Sequence, residues 1–159
     1  MRVIADSSAL VALASCGSLW VLNELFNEVK VPQAVFNEVI IANKPQAQTL
    51  RIYLADKVES VNLSQVVIKN ADGLGKGELE AIALAMNLSA DMLLVDDAKA
   101  KKVAFSHKIE VIGSMGILLL AKQQNLLDKL KPLIELLVNS DIYLSQRLVR
   151  HVLTLAGED

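Results

Sequence analysis

A single cysteine, Cys16, stands among 159 residues. That excludes an internal disulfide framework and a cysteine zinc cage, and it fits a cytoplasmic protein. Long hydrophobic runs are missing as well. The leucine-rich stretch from Ile117 to Ala121 is far too short to span a membrane. The N-terminus lacks the basic-then-apolar pattern of a signal peptide. Net charge is small, −2, so contact with nucleic acid would need a local basic patch. There is no internal repeat and no low-complexity segment. What the chain does have is a hydrophobic fraction of 53%, the composition of a compact globular protein. Its length suits one domain with a sizeable core.

Short apolar runs alternate with helical periodicity. Arg2 to Ala5 reads as a strand ending at Asp6, with Ser7 and Ser8 as caps for a helix over 9–14. Residues 19–26 predict a helix and 28–31 a strand. Pro32 starts a helix reaching about Ile41, since its missing N–H costs nothing in a first turn. Residues 47–54 predict a helix and 57–61 a strand. Asn70 to Gly77 carries three glycines and reads as a loop. A helix over 78–88 follows, then a strand over 91–95 apolar enough to be buried on both faces. A helix over 97–106, a strand over 110–112 and a helix over 114–123 complete a unit of residues 1–125. Residues 126–159 form an extension of two amphipathic helices, over 127–138 and 145–156, packed on the same domain. Alternation without hairpin signals predicts an α/β fold with a parallel sheet covered on both faces. Ligands of such sheets bind at the carboxyl ends of the strands.

Four acids occupy positions that need explaining. Asp6 and Asp96 each follow a strand and fall on that rim; either could equally be a helix cap. At about 100° per residue, Glu78 lies on the side of Ile82 and Ala85 while Glu80 faces the opposite, wet side. Glu38 sits among Ala34, Val35 and Ile41. A carboxylate turned towards an apolar face is costly unless a cation pairs with it. The alternative is an acid at a helix edge that reaches water.

Together these residues resemble a known family. Val-Ile-Ala-Asp6-Ser-Ser-Ala-Leu, Pro32-x-x-Val-x-x-Glu38, Gly77-Glu78-x-Glu80-Ala-Ile-Ala-Leu-Ala and Leu-Leu-Val-Asp96-Asp97 are similar to the motifs of PIN domains, nearest to a small prokaryotic branch. The resemblance covers about residues 1–125. It implies a PIN-like three-layer fold, with a five-stranded parallel sheet between helices. It further implies an acidic pocket that binds Mg²⁺ or Mn²⁺ and cleaves RNA. It assigns Asp6, Glu38, Glu78 and Asp96 as catalytic and metal-binding carboxylates, with Asp97 as an outer member. Ser7 matches a small hydroxyl residue that often follows the first acid. Many toxin relatives carry Asp where this chain has Glu78, which keeps the charge.

The chemistry suits these groups. Hard divalent cations prefer oxygen ligands, and a bound cation acidifies water and neutralises charge on phosphorus. Lys76, Lys99 and Lys102 are candidates to hold the backbone of a single strand, although for any one of them a solvated lysine face is the simpler account. His107 and His151 fall away from the expected rim. Gly73-Leu-Gly-Lys-Gly77 is no P-loop, because Gly rather than Ser or Thr follows the lysine. Asp6-Ser7-Ser8 lacks the second aspartate of an aspartate-nucleophile phosphatase. The reading is therefore a metal-dependent ribonuclease acting on single-stranded RNA; the resemblance leaves open the role of toxin in a toxin–antitoxin pair, with an antitoxin partner. The alternative is a PIN-fold binding or assembly module with little cleavage. Leu148, Val152 and Leu155 form a stripe on the last helix that either closes the core or meets a partner, a second subunit of a homodimer or an antitoxin helix.

Overall fold

The computed structural model describes residues 1–140 and 142–159. Five strands form one all-parallel sheet: β1 (Arg2–Ala5), β2 (Glu28–Pro32), β3 (Val58–Glu59), β4 (Met92–Leu94) and β5 (Val111–Ile112), in the order β3-β2-β1-β4-β5. β1 is central. Val3 pairs with Val29 on one side and with Met92 on the other. Val3, Ile4 and Ala5 are all fully buried. Successive strand side chains point to opposite faces, so both faces of the sheet are covered. This is the expected α/β architecture.

The helices are α1 (Ser7–Ser15), α2 (Trp20–Leu25), α3 (Gln33–Val39), α4 (Ala47–Leu54), α5 (Lys76–Leu88), α6 (Ala98–Ser106), α7 (Ser114–Gln123), α8 (Lys131–Val138) and α9 (Gln146–Leu155). α5 packs across β1, β2 and β4 and against α3, while α1 packs on α3, α4, α7 and α8. Ile82, Leu84, Ile117 and Leu118 are fully buried between these layers.

Several boundaries differ from expectation. α1 begins at Ser7, so the cap position is Asp6 and not a serine. α5 begins two residues early, at Lys76. α8 begins at Lys131 rather than at residue 127. Pro132 explains that start: inside a helix it would cost a backbone hydrogen bond and clash with the preceding turn, whereas the first turn tolerates it. A 3-10 turn at Leu63–Gln65 was not expected; the Asn62 side chain nucleates it by accepting from the Ser64 N–H at 3.1 Å.

The last two helices share the core. Leu130, Ile134, Leu137 and Val152 are buried in it. Glu158 clasps this segment. Its carboxylate accepts from the N–H groups of Leu130 and Lys131 at 2.8 and 2.9 Å, and from the Lys122 ammonium at 2.7 Å. Lys122 also donates to the Ala156 carbonyl.

Candidate active site

β1 delivers Asp6 at its carboxyl end. The Asp6 N–H donates to the Leu94 carbonyl at 2.9 Å, which pins the residue between β1 and β4. Its side chain does not cap α1. The residue is 3% exposed, and Oδ1 has no hydrogen-bond partner. Burial pushes the carboxyl up to about 7. The Ser7 N–H pulls the other way, and the charges of Glu78, Glu38 and Asp97 add to the rise.

Those three acids come from three elements. Glu38, near the end of α3, is held at both oxygens: the Ser7 hydroxyl donates to Oε2 at 2.6 Å and the Gly77 N–H to Oε1 at 3.1 Å. Glu78 lies in the first turn of α5, where its Oε1 accepts from the Gly75 N–H at 3.0 Å. Burial raises its pKa against the pull of that N–H, and the Asp97 charge, a hydrogen bond shared with the Asp97 carboxyl and the Glu38 charge raise it further. Asp97 caps α6 by accepting from the Ala100 N–H at 2.8 Å.

Asp96 is held by a different partner, Ser114. Its Oδ1 accepts from the Ser114 N–H at 2.7 Å and its Oδ2 from the Ser114 hydroxyl at 2.8 Å. Asp97, expected as an outer member, is near enough for its charge to raise the Asp6 pKa. The turn after β4 decides this, because consecutive residues leaving a strand point in different directions. Glu80 is a correction. It does not face water but is half-buried, and its Oε1 accepts from the Ala34 N–H at 3.2 Å, in the first turn of α3. The helix N-terminus supplies the partner that an apolar-face argument leaves out.

The lysines divide. Lys76 is exposed at the start of α5, and Lys99 reaches back to pack on Gly73 of the glycine-rich loop. Lys102 is exposed. Lys101, which sequence reasoning missed, is half-buried beside Asp96. His107 is structural: its Nε2 accepts from the Lys69 N–H, and its Nδ1 lies 2.9 Å from the Val103 carbonyl. A cleft of about 900 Å³ adjoins the carboxylates, sharing Ser7, Glu38 and Asp96 with them. His151 lines this cleft, so it lies nearer the site than its sequence position suggested. Leu148 and Leu155 line it too, while Val152 also closes the core.

A family model described as a PIN domain matches residues 2–158. The chain belongs to the PIN-domain family. The PIN match takes in the last two helices as well as the sheet. PIN domains have a nuclease fold and are generally metal-dependent ribonucleases. No curated protein matches this PIN-domain chain. No helix among its described residues is long and apolar enough to cross a membrane.

Proposed function

We propose that this PIN domain is a metal-dependent ribonuclease that hydrolyses phosphodiester bonds of single-stranded RNA, using Mg²⁺ or Mn²⁺. The observation that carries this reading is the buried, unpartnered Oδ1 of Asp6 beside three further carboxylates. A buried carboxylate oxygen without a partner is costly, and none of the four acids forms an ion pair among the described residues. A divalent cation would remove both costs, and the donors are all hard oxygens, as Mg²⁺ and Mn²⁺ require. Among the described residues, no three acidic side chains converge closely enough to ligate one ion together. Such ions keep several waters beside one or two carboxylates. Asp6, with Glu38, Glu78 and Asp97 around it, would hold such an ion.

When bound, the cation offsets charge on the phosphate and acidifies the attacking water. The chain's own residues prepare that reaction. Ser7 and Gly77 fix Glu38 at both oxygens, so its charge sits at the rim without rotamer freedom. Burial and the neighbouring Asp97 charge raise the pKa of Glu78, so it gains from a cation placed beside it. Ser114 orients Asp96 towards Lys101, which with Lys99 and Lys76 supplies positive contacts for the strand. The test is cleavage of mixed RNAs with Mg²⁺, Mn²⁺ or chelator, alongside Asp6→Asn. Metal-dependent cleavage that the variant lacks supports the reading. RNA binding without cleavage under every metal replaces it with a binding module.

A further inference from the structure

The cleft beside the carboxylates has two chemical halves. One carries Asp96 and Lys101. The other carries Leu148 and Leu155 of α9, with Tyr143 just before that helix. Tyr143 is 88% exposed, Leu155 60% and Leu148 39%. An apolar wall of this kind left open to water marks a surface that binds something. A space of about 900 Å³ is of the size that takes a small organic group.

The polar half points to a phosphate. Lys101 is half-buried and forms no ion pair among the described residues. It stands close to Asp96 because Gly113 has no side chain: a Cβ there would lie 3.1 Å from the Lys101 ammonium and 2.7 Å from Asp96 Oδ1. Lys44 and His151 also line the cleft, against Glu38 and Asp96. On the cleft lining Lys44 and Lys101 offset Glu38 and Asp96, so a cation held by the neighbouring acids would lie beside a wall that does not repel an anion. A ligand that is anionic at one end and flat and apolar at the other matches both halves.

We propose that this cleft is a nucleoside subsite. It takes the base next to the phosphate addressed by the carboxylates, with Tyr143 as its stacking face and Lys101 on the phosphate. The placement of that phosphate rests on the ribonuclease reading. An apolar peptide or a second copy of the chain would cover Leu148 and Leu155 equally well, but it brings no phosphate to the Lys101 side of the cleft.

The test walks one abasic residue through a labelled single-stranded RNA of ten nucleotides, bound by the full-length protein. Ca²⁺ replaces Mg²⁺ so that the strand stays whole, and binding is read by anisotropy. The wild type should lose about tenfold in affinity when the abasic residue reaches one register, the size of a lost base–aromatic stack. Tyr143→Ala should lose about as much on intact RNA and become indifferent to the abasic position. Lys101→Met should weaken every strand alike and flatten the salt dependence. Tyr143 is exposed enough that its removal leaves the fold intact, which an unchanged melting temperature checks. Equal wild-type affinity for all strands overturns the subsite, as does a Tyr143→Ala protein that keeps its abasic sensitivity. So does a dimer that Tyr143→Ala dissociates. Base-dependent binding without cleavage under Mg²⁺ or Mn²⁺ supports the subsite and sinks the ribonuclease reading. Cleavage without base dependence does the reverse.

Discussion

Gly77 and Glu38 are fitted to each other: a Cβ on Gly77 would lie 2.5 Å from the Glu38 Oε1 that its own N–H holds. Gly77 is in the first turn of α5. In an ordinary helix, alanine there would gain about 1 kcal/mol. Here the added methyl drives the Glu38 carboxylate away, and a flexible side chain can yield without unfolding anything. Gly77→Ala is therefore expected to melt at or slightly above the wild-type temperature while losing most RNA cleavage. Parallel melts and cleavage assays check this; an active Gly77→Ala protein would show that the held position of Glu38 does not matter.

Asp6 should make the metal-free protein less stable as pH rises. Its carboxyl is pushed up to about 7 from an ordinary 3.8, chiefly by burial. Between these values the native state holds a proton that the unfolded chain releases. The Asp6 contribution is thus full below about pH 4 and falls away as pH rises towards 7. Asp6→Asn should flatten that decline and raise metal-free stability at pH 8. Millimolar Mg²⁺ should raise the wild-type melting temperature at pH 8, by mass action on the folded state, and leave the variant unmoved. Thermal melts at pH 5 and pH 8, with and without metal, decide the matter. Identical pH profiles for the two proteins would count against a costly buried carboxyl at Asp6.

Glu78 and Glu80, two residues apart on α5, have separate partners. Glu78→Gln should reduce cleavage by at least about a hundredfold, as losing a charge at a reaction centre often does. Glu80→Gln should leave activity near wild type. It weakens an anionic contact to the first turn of α3, so a stability loss of about 0.5–1 kcal/mol is expected. Matched cleavage assays and urea titrations separate the two effects. A dead Glu80→Gln enzyme with intact stability would move the site to the other face of α5.

Glu158 should govern acid stability. Burial opposes its charge, but the N–H groups of Leu130 and Lys131 and the Lys122 ammonium outweigh this and hold its pKa down to about 2. A depressed carboxyl stabilises fully above its ordinary 4.5 and loses that contribution as pH falls towards 2. Glu158→Ala should cost about 2 kcal/mol at pH 7, with much less difference from wild type at pH 2. Urea unfolding at the two pH values measures it, and an equal cost at both would mean that the clasp is not ionic.

Much of the fold was legible because its signals are local. β1, α4 and α7 begin and end where strand pattern, helical periodicity and breakers place them. β3 and β5 shrink to two paired residues each, since pairing depends on a neighbour strand and not on the apolar run itself. The carboxylates were legible by type and spacing, but not what holds Asp96. That is Ser114, eighteen residues further on. Glu80 was misread because its partner, Ala34, is 46 residues away. Lys101 escaped notice because only Gly113, on another segment, opens the space it occupies.

The strand order also sets when the protein can act. β1 is made first, yet its partner β4 pairs Met92 with Val3. At about 5–20 residues per second, a ribosome needs roughly 5–20 s after Asp6 to reach Asp97, and longer to clear it from the exit tunnel. A nascent chain, or one stalled before β4, holds Asp6 and Glu38 but has neither the central strand pairing nor Asp97. On the ribonuclease reading such a chain is no partial nuclease, and cleavage has to wait until β4 and Asp97 have joined the sheet.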